Sequence, residues 1–165
     1  MIALIDPASI EGRQGMKNSL ISVACCLFLL IGIPPAVAET VLSDPKPGMD
    51  NPRKIVLALN TKDETAVNNL LFNVVNIQKF YGPENVEISV VGYGAGVRNF
   101  LKQDSKVADR IQSLNLYDVQ FIACGNTLDA IGRKREELID GVDWVQAGLP
   151  EIVERQLRGW IYLKP

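Results

Sequence analysis

Histidine is absent from all 165 residues of the chain. Its absence excludes Ser-His-Asp and Cys-His catalysis and any metal site built on imidazole. Cysteine is scarce too, because the chain has only three, and two of these are Cys25 and Cys26 near the N-terminus. The third, Cys124, cannot by itself form a zinc site built on several thiolates. We therefore expect neither a metal nor a cofactor.

The sequence also lacks an excess of charge of either sign. Its 17 Lys and Arg residues against 19 Asp and Glu residues give a formal net charge of −2. Such a chain is a poor partner for nucleic acid or anionic lipid. The run Arg133-Lys134-Arg135, followed by two glutamates, is interpreted as a solvated helix end in preference to an anion-steering patch.

No apolar run reaches the roughly 20 residues that span a bilayer as a helix. The uncharged run at residues 20–33 has 14 residues, follows Lys17 and precedes Ala36-Val37-Ala38. This order is typical of a secretory signal cleaved after Ala38, and we favour it over an uncleaved anchor. Lipidation at Cys25 is disfavoured because Ser22 stands where a lipobox has leucine.

The signal divides the chain into a leader and a mature protein. Residues 1–38 are predicted as the leader, with Met16 favoured as the true start because acidic Asp6 and Glu11 are unusual before a signal. The mature protein is then periplasmic or secreted, with no stable membrane association. Cleavage removes Cys25 and Cys26, so Cys124 has no intramolecular disulfide partner.

The mature chain alternates between strand and helix patterns. Residues 39–53 are polar and proline-rich, which predicts a flexible lead-in to a domain at residues 54–165. Strands are predicted as apolar runs, with helical spacing between them. Such runs favour an α/β fold, a three-layer α/β/α sandwich with a mainly parallel five-stranded sheet. The predicted strands are residues 55–59, 86–91, 119–123, 142–145 and 160–163; helices are predicted from Thr65, from Val97, through Val107 to Leu114, after Cys124, and from Leu149 or Pro150 to Gly159.

Gly92, Gly94 and Gly96 form a glycine loop between the second strand and a helix. A loop in this place can hold a phosphate on its backbone N–H groups. The spacing is Gly-x-Gly-x-Gly and lacks a Walker ending, so it matches neither common nucleotide motif. We favour a tight turn, and binding of a small anion or nucleotide stays open as an alternative.

Cys124 follows the third predicted strand at the sheet edge where open α/β sheets bind ligands. A helix begins directly after it, and the positive end of a helix favours thiolate over thiol. Gly125 would let a partner approach the sulfur, and Asn126 or Thr127 would cap the helix. The alternative is a buried, inert cysteine, which is common at strand ends.

Three segments in this order resemble the DsrE/DsrF-like family over residues 54–165. They are residues 90–97 (VVGYGAGV), 121–128 (FIACGNTL) and 159–165 (GWIYLKP). The resemblance implies a homo-oligomer in which a cysteine at a strand end carries sulfur as a persulfide. Cys124 is the residue that matches, as a sulfurtransferase-like carrier that exchanges sulfur with a donor or acceptor protein.

Two function hypotheses of different classes follow. The leading one is a sulfur-handling protein of the cell envelope with Cys124 as nucleophile, and with Gly92, Gly94, Gly96, Gly125 and Asn126 shaping the mouth of the site. The alternative is a non-enzymatic oligomeric binding module in which Cys124 is structural.

Overall fold

The computed structural model of the protein describes residues 39–165. The predicted leader, with its signal, its start at Met16 and its two cysteines, lies outside the described residues. The chain divides into Met1–Leu42 and Ser43–Pro165, and the fold below is that of the second unit. Among the described residues, no helix is long and apolar enough to cross a membrane.

Five strands form one sheet in the order β4-β3-β2-β1-β5, and every neighbouring pair is parallel. This confirms the predicted α/β class and the five-stranded sheet. The strands lie within one or two residues of their predicted positions, because continuous apolar runs identify strands buried on both faces. They are β1 (Arg53–Leu59), β2 (Val86–Gly92), β3 (Val119–Cys124), β4 (Val142–Val145) and β5 (Ile161–Leu163).

Four α-helices connect the strands in the described part of the chain. The longest, α1, begins after Asp63, whose carboxylate accepts a hydrogen bond from the Ala66 N–H at 2.8 Å, and ends at Gly82, where φ is 86°. Both ends agree with the turn and stop signals in the sequence. The helices are α1 (Glu64–Tyr81), α2 (Ala108–Asn115), α3 (Gly125–Ala130) and α4 (Gly148–Leu157).

The segment after the glycine loop differs from its prediction, because Gly94–Phe100 forms a 3-10 helix instead of the start of an α-helix. Asn99, which is buried here, explains the difference. Its side-chain amide donates to the carbonyl of Thr61 at 2.8 Å and to that of Gly96 at 3.0 Å. The tighter turn is thereby tied to the end of β1, and the chain becomes extended again at Leu101.

The two faces of the sheet are covered unequally. The connections from β1 to β4 all progress in one direction, and right-handed crossovers therefore place α1, α2 and α3 on one face. The connection from β4 to β5 returns across the sheet and places α4 on the other. The packing agrees, since Ile152 of α4 shares an apolar cluster with Val56, Val91 and Ile122, while the other three helices pack in a separate cluster.

Neighbouring strands β3 and β4 consequently send their helices to opposite faces of the sheet. Such a switch point opens a crevice at the carboxyl ends of the strands, where open α/β proteins bind ligands. Cys124 is the last residue of β3. The fold thus places it at this crevice, between the starts of α3 and α4.

Candidate functional site

Cys124 ends β3 and caps the N-terminus of α3 with its backbone. It is 6% exposed. The Gly148 N–H, the first of α4, donates a hydrogen bond to its Sγ at 3.3 Å. A thiol at this position can donate in turn to the Gln146 carbonyl, 3.9 Å away. The sulfur therefore has one partner suited to the thiolate and one suited to the thiol.

Two opposing effects set the pKa of Cys124. Burial raises the pKa, because the charged thiolate loses hydration. Hydrogen bonds from the Thr127 hydroxyl and from the N–H groups of Gly148, Thr127 and Asn126 lower it, and together they prevail. The pKa of Cys124 therefore lies below its ordinary value, and the positive end of α4 adds to the same preference.

Two glycines allow the backbone to approach closely here. A Cβ on Gly148 would lie 3.0 Å from the Cys124 Cβ and 3.5 Å from its Sγ, too close for the present contact. A Cβ on Gly125 would lie 3.2 Å from the Val145 carbonyl oxygen. Gly125 thus packs against the end of β4, and its role in admitting a partner to the sulfur stays a prediction.

Asn126 and Thr127 do not cap α3, and that expectation is wrong because no side chain caps this helix. The Asn126 N–H donates to the Gln146 carbonyl at 2.8 Å, and its side-chain oxygen accepts from the Gln146 amide at 2.6 Å. Cys124 already occupies the capping position, so the two side chains are free for contacts across the crevice. Through these two hydrogen bonds, Asn126 connects the start of α3 to the loop before α4.

The glycine loop meets the Cys124 site through one hydrogen bond. The Gly94 N–H donates to the Thr127 hydroxyl oxygen at 3.1 Å. The same hydroxyl can then donate its proton to the Cys124 sulfur. Gly94 has φ 53°, a left-handed conformation that suits glycine, and its N–H is turned towards α3.

The other two glycines of the loop serve packing. A Cβ on Gly92 would lie 2.3 Å from the Phe100 ring, and one on Gly96 would lie 2.0 Å from the Leu59 carbonyl oxygen. The Gly96 N–H donates to the Tyr93 carbonyl, and the Tyr93 N–H donates to that of Leu59. Because these N–H groups already have partners, the loop has the properties of a tight turn and offers few donors to a phosphate.

The two arginines of the basic run, Arg133 and Arg135, make ion pairs and an aromatic contact. Arg133 lies 2.6 Å from Glu137 and 3.3 Å from Asp104. Arg135 stacks over the Trp144 ring, with its guanidinium carbon 4.0 Å from the ring centroid, and also lies 3.8 Å from Asp129. An anion-steering patch needs unpaired positive charge, so these ion pairs disfavour it. The two arginines also contact other side chains, so simple solvation does not describe them either.

A cavity of about 840 Å³ lies apart from Cys124, beside the start of α1 and the 3-10 helix Gly94–Phe100. Two ion pairs lie in its lining, since Arg98 lies 2.8 Å from Asp104 and Lys106 lies 2.8 Å from Glu64. Over residues 39–165, no cluster of three or more acidic or cysteine side chains could hold a metal.

Sequence reasoning missed Gly148 and Gln146. Both follow β4, and the sequence carried one usable signal: a glycine directly after a strand and before a helix, at the same sheet edge as Cys124. The structure brings Cys124, Gly125, Asn126 and Gly94 together. Gly92 and Gly96 face Phe100 and Leu59 instead.

Fold and site together define a small α/β protein with a cysteine at the switch point of a parallel sheet. The chain belongs to the DsrE/DsrF-like family, whose model matches residues 45–165. A search of curated proteins finds no match.

Solved structures include several similar chains. The protein of unknown function MTH1491 from Methanobacterium thermoautotrophicum is 36% identical, with a TM-score of 0.66, covering 68% of this chain and 99% of its own. The ychN protein from E. coli is 19% identical over the same shares, with a TM-score of 0.59. BT1422 from Bacteroides thetaiotaomicron is 18% identical, with a TM-score of 0.51, covering 68% of this chain and 94% of its own. The latter two show the fold alone.

Gly96→Ala tests the packing role of the glycine loop. The added Cβ would collide with the Leu59 carbonyl, and we expect the free energy of unfolding to fall by about 3 kcal/mol. Gly48→Ala is the matched control, because a Cβ there meets nothing within 4 Å and should change stability by less than about 0.5 kcal/mol. Urea denaturation measures both, and equal effects would contradict the packing role.

Thr127→Val tests the hydroxyl at the sulfur. Loss of one hydrogen bond to the thiolate should raise the pKa of Cys124 and slow its alkylation at pH 7 by about fivefold, the factor for roughly 1 kcal/mol. Thr127→Ser keeps the hydroxyl and should retain the parent rate. If valine and serine variants react alike, the hydroxyl has no part in stabilising the thiolate.

Proposed function

We propose that this protein handles sulfur, accepting sulfane sulfur on Cys124 as a persulfide and passing it to an acceptor thiol. The observation that carries the proposal is the Gly148 N–H held 3.3 Å from the Cys124 sulfur, together with the Thr127 hydroxyl. These donors favour the thiolate, which is the nucleophilic form. Membership of the DsrE/DsrF-like family supports the same chemistry.

The transfer needs no oxidant beyond the donor itself. The Cys124 thiolate attacks the outer sulfur of a polysulfide, a new S–S bond forms, and the S–S bond of the donor breaks. The shortened polysulfide or hydrosulfide leaves with the electron pair. In the second half, an acceptor thiolate attacks the outer sulfur of the persulfide, and the Cys124 thiolate is regenerated as the leaving group.

We further propose that this chemistry takes place in the cell envelope, in the periplasm or outside the cell. The support is the signal-like order of residues 17–38. A donor or acceptor protein would be the partner there, and the near-neutral charge argues against nucleic acid.

A second candidate function is a non-enzymatic oligomeric binding module with a structural Cys124. The observation in its favour is the 6% exposure of Cys124, since burial slows any attack on the sulfur. Native protein would then be labelled very slowly by a thiol reagent, and unfolded protein rapidly. The sulfur-carrier proposal instead requires labelling of the native protein.

Incubation of the mature protein with polysulfide tests the leading proposal. We expect a gain of about 32 Da, one sulfur atom, on intact mass measurement at near-neutral pH, because the attacking thiol is partly ionised there. A second incubation with a thiol acceptor should remove the added mass. Cys124→Ser is the control and should gain nothing.

Two outcomes would contradict sulfur carriage on Cys124: no gain in the parent protein, or an equal gain in Cys124→Ser. Slow native labelling together with no gain would support the structural cysteine. A gain that no acceptor thiol removes would indicate adventitious oxidation of the sulfur and count against transfer.

We also propose that the protein forms a homo-oligomer through the outer side of α4. In support, Leu149, Val153 and Leu157 are each more than half exposed and follow one another at four-residue spacing, so they share one face. Exposed apolar stripes of this kind are typical of interaction surfaces.

Val153→Lys with Leu157→Lys tests this oligomer. We expect the double variant to run as a monomer on size exclusion with light scattering, because two charges would have to be buried at the interface. Leu116→Lys is the control: Leu116 is 85% exposed at the end of α2, away from α4, and should leave the assembly unchanged. A monomeric parent protein would contradict the proposal.

A further inference from the structure

A seam between β3 and α4 joins the Cys124 site to a buried arginine. Successive side chains on one face of a strand are two residues apart, and those on one face of a helix are three or four apart. The buried positions of α4 follow this rule and meet alternate positions of β3 in the opposite chain order. The pairs are Gly148 with Cys124, Ile152 with Ile122, and Arg155 with Gln120.

The Arg155 side chain fixes the far end of this seam and is only 8% exposed. Its Nη2 donates to the Gln120 side-chain oxygen at 2.7 Å, and its Nε donates to Glu151 at 2.7 Å. The guanidinium carbon also lies 4.4 Å from the Trp160 ring centroid. A planar guanidinium with partners on three sides is held in one orientation.

Helix α4 connects the Arg155 contacts to the Gly148 N–H at the Cys124 sulfur. Arg155 follows Gly148 by seven residues, about 10 Å or two turns along a helix that is stiff over this length. The Ile152 side chain, between them, makes apolar contacts only. The contact of Arg155 with Gln120 is therefore a second fixed point of α4 along β3, beside the hydrogen bonds between Asn126 and Gln146 that hold the loop before Gly148.

We infer that Arg155 is a positioning residue of the Cys124 site: by fixing α4 to β3 through Gln120, it holds the Gly148 N–H on the Cys124 sulfur. The inference goes beyond the proposed function and rests on it only in that the thiolate is the reactive form. Arg155 acts through the helix and does not touch the sulfur.

Most of the charged side chains on the surrounding elements have partners of their own. Glu151 accepts from Arg155 and lies 3.5 Å from Arg158, so it offsets the charge of Arg155. Because Arg155 and Cys124 are both buried, salt screens the direct interaction between their charges little, and a variant with unchanged charge is needed to separate position from charge. The remaining charged groups on α3, on the segment before β4, on β4 and on α4 are Asp129 and Arg135, which pair with each other, Arg133 and Glu137, which pair with each other, Asp140, which pairs with Lys102, Asp143, which accepts from Gln120, and Lys134, Glu136 and Glu154.

The pH dependence of the Cys124 alkylation rate tests the inference. The midpoint of the rate-against-pH curve reports the pKa of Cys124, and the plateau at high pH reports how accessible the sulfur is. Arg155→Met keeps the apolar stem and removes the hydrogen bonds. Gln120→Met removes the same contact from the strand side with no change of charge. We expect both to raise the midpoint and to lower the rate at pH 7, relative to the plateau, by about threefold.

Arg158→Met is the matched control, because Arg158 carries the same charge on the same helix, contacts the same Glu151 and is mostly exposed. It should keep the parent midpoint. Parent-like midpoints in folded Arg155→Met and Gln120→Met would overturn the inference, as would an equal shift in Arg158→Met, which would assign the effect to charge. If Arg155→Met does not fold, Gln120→Met alone decides.

The measurement needs no sulfur donor, so the two proposals fail separately. Absence of persulfide on the parent protein would overturn the proposed function and leave the midpoints as they are. Unchanged midpoints with normal persulfide formation would overturn only the role of Arg155.

Discussion

The contact between the Gly148 N–H and the Cys124 sulfur is the constraint on which the site depends. It exists because the chain, after four strands laid side by side in one direction, returns across the sheet to β5. That return places α4 on a face of its own and aims its first N–H at the end of β3. A fifth strand added beyond β4 would have kept α4 on the same face as the other helices and left the sulfur without this donor.

The same contact limits what the side chains around it can be. A Cβ on the first residue of α4 would lie 3.0 Å from the Cys124 Cβ, and glycine at position 148 avoids this crowding while its N–H stays 3.3 Å from the sulfur. Burial alone would raise the pKa of Cys124, and the surrounding hydrogen-bond donors bring that pKa below its ordinary value. The low exposure of Cys124 and its lowered pKa therefore both result from the same packing arrangement. Low exposure slows the approach of a sulfur donor, whereas the lowered pKa favours the nucleophilic thiolate, and the balance of the two sets the reactivity of Cys124.

Much of this arrangement follows from local sequence. Apolar runs identified the strands, and the cap at Asp63 and the stop at Gly82 bounded α1. Cys124 was placed correctly at the carboxyl edge of the sheet, because that placement needs only the end of one strand. Gly148 lies 24 residues further on, and its contact depends on which face the last helix takes. No local pattern marks Arg155 as buried, because its burial depends on the packing of α4 against β3. The 3-10 turn after the glycine loop also depended on a distant partner, the carbonyl of Thr61.

The central claim is that the folded protein holds Cys124 as a thiolate more readily than a free cysteine does. The direct measurement is a pH titration of the ultraviolet thiolate absorbance of the mature protein, with Cys124→Ser subtracted as the baseline. The account predicts a midpoint below the ordinary cysteine pKa in the folded protein, returning to the ordinary value after unfolding in urea. A folded midpoint at or above the ordinary value would contradict the account.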